Sequence, residues 1–195
     1  SGVTGVQTCA LPIFAMLSRS PTLSEATALG EGELKAQLIR RAIDEPARER
    51  TLAQSVPALT PDGADAISEA VKDQYEANPY PRWSAPPAPT PRRLSDAIAA
   101  LPGLDGKAFA GRAETVLVAG CGTGFEPIDM ARMDPSLAIT AMDLSRASLA
   151  HGMRVAEDLG LTRVQFVQGD ILALDKVRAR FDVVTSTGVL HHRSE

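Results

Sequence analysis

Residues 116–124 read Val116-Leu117-Val118-Ala119-Gly120-Cys121-Gly122-Thr123-Gly124, four apolar residues followed by glycine at every second position. A short apolar run that ends in glycines reads as a buried strand turning tightly at its carboxyl end. Downstream the pattern alternates. Glu126–Met133 suits a helix stopped before Pro135, and Ala138–Met142 a second strand ending at Asp143. Ser145 can cap a helix running to Leu159, with Gly160 as a left-handed terminator and Leu149, Met153, Ala156 and Leu159 as its apolar stripe. Val164–Val167 follows as a third strand and Phe181–Ser186 as a fourth. Strands and helices that alternate through short connections make right-handed βαβ units, so the expected fold class is α/β with a doubly wound parallel sheet.

Upstream of this block the character changes. The stretch from Phe14 to about Thr60 has helical spacing in Leu34, Leu38, Ile39 and Ala42, with Pro46 expected to interrupt it. Val56–Pro61 reads as an extended connector and Asp65–Ala77 as another helix. Pro79, Pro81, Pro86, Pro87, Pro89 and Pro91 then exclude a helix interior or a central strand, leaving a linker or a draped arm. The expected organisation is a helical and Pro-rich cap over 14–93 and an α/β segment over 94–192.

The whole chain has 195 residues, 44% of them hydrophobic and 23% charged, enough for a packed core. A net charge of −4 with scattered basic residues argues against a dedicated nucleic-acid or anionic-membrane surface. Cys9 and Cys121 form neither a disulfide framework nor a zinc motif, and no metal site is expected. No apolar run is long enough to span a bilayer.

In an open parallel sheet, ligands bind at the carboxyl ends of the strands. Gly120, Gly122 and Gly124 stand at the first such end, either to admit a ligand against the backbone or simply to make the turn. Asp143 ends strand two, nineteen residues beyond Gly124, where a carboxylate can accept two hydrogen bonds from a ribose diol. Capping the next helix is its bland alternative. Gly169-Asp170-Ile171 follows strand three, where a carboxylate can accept from an exocyclic amine beside an apolar neighbour.

Together VLVAGCGTG, AMDLS, QGDIL and FDVVTSTGVLHH resemble the class I S-adenosylmethionine-dependent methyltransferases, over Thr115 to His192. The resemblance implies a Rossmann-like sheet of seven strands, of which this chain carries four, with strand four left at an edge. It also implies S-adenosyl-L-methionine as cofactor and a methyl acceptor as substrate. Ala119, Gly120, Cys121, Gly122 and Gly124 would pass its methionine part. Asp143 would hold the ribose with Leu144 against the adenine, Asp170 and Ile171 would meet the adenine edge, and Ser186–Leu190, including Thr187, would line the transfer site. No general base is named. Many members carry an acidic residue where this chain has Val118, a departure that removes a usual anchor.

QYEANPYPRW, residues 74–83, narrows the resemblance to bacterial methyltransferases often found beside tetratricopeptide repeats, which implies such a region in a full-length, cytoplasmic protein. Within it Tyr75, Tyr80, Arg82 and Trp83 either cap the cofactor pocket, aromatic faces toward a sulfonium and Arg82 toward a carboxylate, or strap the sheet. His191 and His192 are adjacent and point apart, so they are not expected to share a metal; the resemblance implies that they belong to a motif opening the helix after strand four. Residues 3–13, VTGVQTCALPI, resemble a translated sequencing-library adapter, and 193–195 its reverse complement. On that reading 1–13 and 193–195 carry no biological meaning. A nicotinamide-dependent oxidoreductase is the first rival, disfavoured because Phe125 occupies the place of the third glycine in its fingerprint. A non-catalytic binding module is the second.

Overall fold

A computed structural model describes residues 31–60, 66–83, 86, 88–100, 102 and 114–188. The expectations for the adapter-like ends, for Phe14 to residue 30, and for Leu190, His191 and His192 lie outside the described residues.

Four parallel strands form the sheet: β1 (Thr115–Ala119), β2 (Ala138–Asp143), β3 (Val164–Gln168) and β4 (Val183–Thr185), in the order β3-β2-β1-β4. The doubly wound α/β reading therefore holds among the described residues. In register, Val118 lies between Ala141 of β2 and Thr185 of β4. All of Val116–Ala119 is buried, as befits a central parallel strand covered on both faces. The side-chain alternation of a strand divides them. Val116 and Val118 pack with Leu94, Ala131, Leu137 and Ile139, whereas Leu117 and Ala119 pack with Met142 and Val167.

Helices supply the covers. α1 (Glu31–Ile39) passes through a π-helical stretch, Arg40–Asp44, into α2 (Glu45–Ser55); α3 (Ala66–Ala77) and α4 (Leu94–Ala99) precede the sheet. α5 (Phe125–Met133) and α6 (Arg146–Asp158) are the crossover helices. The N-terminal cap is part of the core. Val56 and Trp83 join Ile128, Ala141, Leu149, Val155, Ala156 and Phe166 in one buried cluster. The connector after α2 also extends the sheet, because Ala58 runs parallel to Gln168 and Leu59 N donates to Gln168 O at 2.7 Å. That contact partly covers the open edge of β3.

Four local expectations are corrected. Pro46 does not interrupt the helical run; it sits in the first turn of α2, where a missing N–H costs little, and the π-helical stretch absorbs the junction. Leu38 and Ile39 are exposed rather than packed. Leu159 lies past the end of α6, 41% exposed, so it does not extend the stripe of Leu149 and Ala156. β4 is shorter than expected, Val183–Thr185, and is preceded by Asp182, whose backbone N donates to Thr115 O at 3.0 Å while its carboxylate accepts from Thr115 N at 2.9 Å and Glu114 N at 3.1 Å.

Candidate functional site

The loop after β1 is held from two sides. Gly120 N and Cys121 N both donate to Met142 O at the end of β2, at 2.8 and 2.9 Å. Gly122 N donates to Asp143 Oδ2 at 2.8 Å, while Asp143 Oδ1 accepts from Ser145 N at 3.0 Å. One carboxylate thus ties the glycine loop to the mouth of α6. The helix cap itself is Ser145, whose Oγ accepts from Ser148 N at 3.0 Å and donates to Glu76 of α3 at 2.8 Å. Burial pushes the Asp143 carboxyl above its ordinary value. The backbone donors Ser145 and Gly122 pull the other way, and the nearby charge of Glu76 adds to the rise.

The glycines divide by physical reason. A Cβ at Gly124 (φ +83°) would stand 2.9 Å from Phe166 Cε1 and 3.0 Å from Gly152 Cα, so that glycine permits close packing of loop, β3 and α6. A Cβ at Gly122 (φ +54°) would meet only Tyr80 O, at 3.9 Å. Close packing therefore does not require this glycine; its positive φ does.

The other expected residues fall as follows. Ala119 is buried at the end of β1, and Leu144 is half-buried beside Asp143. Asp170 is buried, with Oδ1 accepting from Leu172 N at 2.8 Å and its backbone N donating to Thr60 Oγ1 at 3.0 Å. Ile171 packs partly against the cluster of Leu117, Ala119 and Met142. The loop after β1, Asp143, Leu144, Asp170 and Ile171 therefore share the carboxyl edge of the sheet. Thr187 is exposed, two residues beyond β4. Burial, and then the Asp143 charge, push the Cys121 thiol well up, which makes it an inert filler.

Whether this edge suits an adenosyl ligand is tested by its unsatisfied groups. The hydroxyls of Thr185 and Ser186, at the end of β4, are buried without a hydrogen-bond partner. Buried hydroxyls normally find one. With the Gly122 backbone and the carboxylate of Asp143, they form a polar edge whose groups suit a ligand carrying hydroxyl and amine groups. Among the described residues, no three His, Cys, Asp or Glu side chains are placed to hold a metal.

For the Pro-rich arm the contacts favour the second of the two alternatives, the strap. Arg82 does not face the ligand edge; it is bound by Glu49 at 2.8 and 3.1 Å. Trp83 is buried, donates from Nε1 to Thr123 Oγ1 at 3.1 Å, and meets Phe125 and His151 edge-on with ring centroids 5.4 Å apart. Thr123 Oγ1 in turn donates to Pro81 O at 2.6 Å. The arm is a strap on the glycine loop, with Tyr80 exposed and its carbonyl beside Gly122.

Sequence reasoning missed the anchor of that strap. Glu49, buried on α2, accepts from Arg154 Nε at 2.9 Å and from Arg82, and lies 3.0 Å from His151 Nδ1. Burial pushes its carboxyl up, but the bonds from His151, Arg154 and Arg82 outweigh this and hold it at about 2. His151 and Arg154, at i and i+3 on the capped helix, were the one available signal.

A family model described as "Methyltransferase domain" matches residues 116–195. An uncharacterized protein of Synechococcus sp. is 31% identical over 134 residues, covering 66% of this chain and 31% of that protein. The ribosomal RNA small subunit methyltransferase G of Neisseria gonorrhoeae is 31% identical over 150 residues, covering 71% of this chain and 67% of that protein. Among solved structures, one described by conversion of a disulfide bond into a thioacetal group during echinomycin biosynthesis is 26% identical. It covers 66% of this chain and 51% of that one, with a TM-score of 0.43. The chain therefore spans less than a third of the first relative and about two thirds of the second.

Proposed function

Because the chain belongs to the class I S-adenosylmethionine-dependent methyltransferases, we propose that it carries the cofactor-binding half of an enzyme that methylates an O, N, S or C nucleophile. The observation that supports the reading best is the placement of Asp143, which joins the mouth of α6 to the glycine loop.

In this reading Asp143 holds the ribose hydroxyls, with Leu144 against the adenine. Each Asp143 oxygen already accepts one backbone N–H and keeps a lone pair for a second donor. Ala119 to Gly124 form the wall along the methionine part, with Cys121 as filler. Asp170 and Ile171 border the adenine, and Thr185, Ser186 and Thr187 stand toward the acceptor. When bound, S-adenosyl-L-methionine supplies an electrophilic methyl group on a sulfonium. The task left to the chain is alignment and exclusion of water. A base is needed only when the acceptor must lose a proton. No described residue takes that role.

The reading extends to a cytoplasmic parent with a tetratricopeptide-repeat region, supported by the likeness of residues 74–83 to that group. No helix among the described residues is long and apolar enough to cross a membrane. The test is calorimetry on the full-length protein. S-adenosylhomocysteine is expected to saturate it, and Asp143→Ala to weaken binding by about 1.5–3 kcal/mol, the cost of losing charged hydrogen bonds. Saturation by NAD instead would replace this reading with the oxidoreductase, and binding without turnover of labelled methyl groups would leave a binding module.

A further inference from the structure

Backbone donors hold the glycine loop on one side and a single side chain holds it on the other. Gly120 N and Cys121 N bind Met142 O, and Gly122 N binds Asp143. The side chain is Thr123, 1% exposed, the one residue of 120–124 whose side chain makes a hydrogen bond beyond the loop. Its hydroxyl works in both directions. Oγ1 accepts from Trp83 Nε1 at 3.1 Å and donates its one hydrogen to Pro81 O at 2.6 Å. An indole N–H can only donate and a carbonyl can only accept, so a hydroxyl is the group that serves both.

The far end of this tie is fixed independently of the loop. Pro81 and Trp83 flank Arg82, which is held on Glu49 of α2 at 2.8 and 3.1 Å. The Trp83 ring meets Phe125 and His151 edge-on and lies in the core with Val56 and Leu149. The near end falls where the loop is least able to hold itself. Gly122 and Gly124, on either side of Thr123, take φ of +54° and +83°. Glycine loses more conformational freedom on ordering than any other residue.

We propose that Thr123 is a positioning residue for the cofactor: its hydroxyl, by tying the loop to the Pro81–Trp83 strap, fixes the Gly122 backbone where the methionine part of S-adenosyl-L-methionine passes. Without the tie, the loop must be ordered when ligand binds, and that cost is subtracted from the affinity. The effect is confined to one end of the ligand. Asp143, Leu144, Asp170 and Ile171, which border the adenosine in this reading, follow β2 and β3 and make no hydrogen bond to the Thr123 side chain.

This inference rests on the cofactor reading, and its experiment separates the two. Calorimetry on the full-length protein compares S-adenosylhomocysteine with 5′-methylthioadenosine, which keeps the adenosine and the sulfur but lacks the amino-acid chain. Thr123→Val preserves the shape and removes the hydroxyl. Its Kd for S-adenosylhomocysteine is expected to rise roughly three- to tenfold, the size of about one net hydrogen bond, with 5′-methylthioadenosine staying within about twofold of wild type. Thr123→Ser, which keeps the hydroxyl, should bring S-adenosylhomocysteine back to within about twofold of wild type. If circular dichroism shows that Thr123→Val does not fold, Thr123→Ala takes its place, because a water can stand where the hydroxyl stood and satisfy the Trp83 N–H. The same ligand-selective loss is expected there, at the lower end of the range.

An unchanged Kd for S-adenosylhomocysteine in the folded variant would overturn the positioning role. So would an equal loss for both ligands, which is what general loosening of the fold produces. A loss in Thr123→Ser as large as that in Thr123→Val would assign the effect to packing of the methyl group and overturn the role of the hydroxyl. A wild-type protein that takes up neither ligand would instead overturn the cofactor reading on which the inference stands.

Discussion

Glu49 and Asp143 are two carboxylates at the two ends of one strap-and-loop assembly, and their surroundings drive them in opposite directions. Glu49 is ringed by Arg82, His151 and Arg154 and is held at about 2, far into its charged form. Asp143 is met by the backbone donors Gly122 and Ser145, with Glu76 nearby, and burial pushes its carboxyl up. The first charge is fully compensated inside the protein. It joins α2, α6 and the strap, and nothing remains for a ligand to supply. The second is under-compensated, and a carboxylate left short of donors in a polar edge is a place where a ligand's own donors lower the free energy. The charge that serves structure and the one proposed to serve binding differ in their partners, since burial acts against both.

Removing Glu49 should give the largest effect. Glu49→Ala leaves His151 and Arg154 buried without their shared acceptor, and breaking a buried pair costs about 3–5 kcal/mol. Urea unfolding should show that loss. A change below about 1 kcal/mol would mean that Glu45 and Asp158 suffice for Arg154, and the contrast with Asp143 would collapse. The same group sets the acid limb. A carboxyl lowered from 4.5 to about 2 contributes stability that is present above the unfolded value and lost as pH falls through the folded one. Stability should fall between those values in the wild type and stay flatter in Glu49→Gln.

Next, the two glycines sharpen the division within the loop. Gly124→Ala combines a left-handed backbone with contacts to Phe166 and Gly152 and should cost about 2–3 kcal/mol. Gly122→Ala meets only the Tyr80 carbonyl and should cost about 1 kcal/mol, while weakening S-adenosylhomocysteine more than its stability loss suggests. Parallel denaturation and calorimetry decide. Equal stability losses at the two positions would make both glycines turn residues alone.

Asp143 provides a smaller, pH-dependent effect. Because its carboxyl is raised, S-adenosylhomocysteine affinity should begin to fall on acidification at a higher pH than an ordinary aspartate would give, by up to about tenfold per pH unit below the midpoint. Binding measured across the acid range should lose this limb in Asp143→Asn. A limb that persists would assign the titration elsewhere. Smallest of all is the exposed pairing of Arg48 with Glu157 and Asp158, at the rim of the same α2–α6 contact. Arg48→Ala should cost less than about 1 kcal/mol in urea unfolding, and a larger loss would show that the anchor extends to the surface.

Much of this was legible in one dimension. Val116–Ala119, the glycines after it, the Ser145 cap and the Gly160 terminator are local signals, because strand alternation, left-handed φ and helix capping each act within a few residues. The positions of Asp143 and Asp170 at the carboxyl edge were legible for the same reason, the first ending β2 and the second lying two residues past β3. Tertiary structure alone decided the rest. Glu49 and His151 lie 102 positions apart and meet only because α2 packs across α6. Arg82 and Trp83, whose basic and aromatic chemistry suited a ligand equally well, were claimed by other partners, Arg82 by Glu49 at the surface and Trp83 by the buried Thr123 hydroxyl. A sequence displays which groups can donate, accept or carry charge. Which of them are satisfied depends on the elements that pack together, and long-range packing leaves no period in the chain.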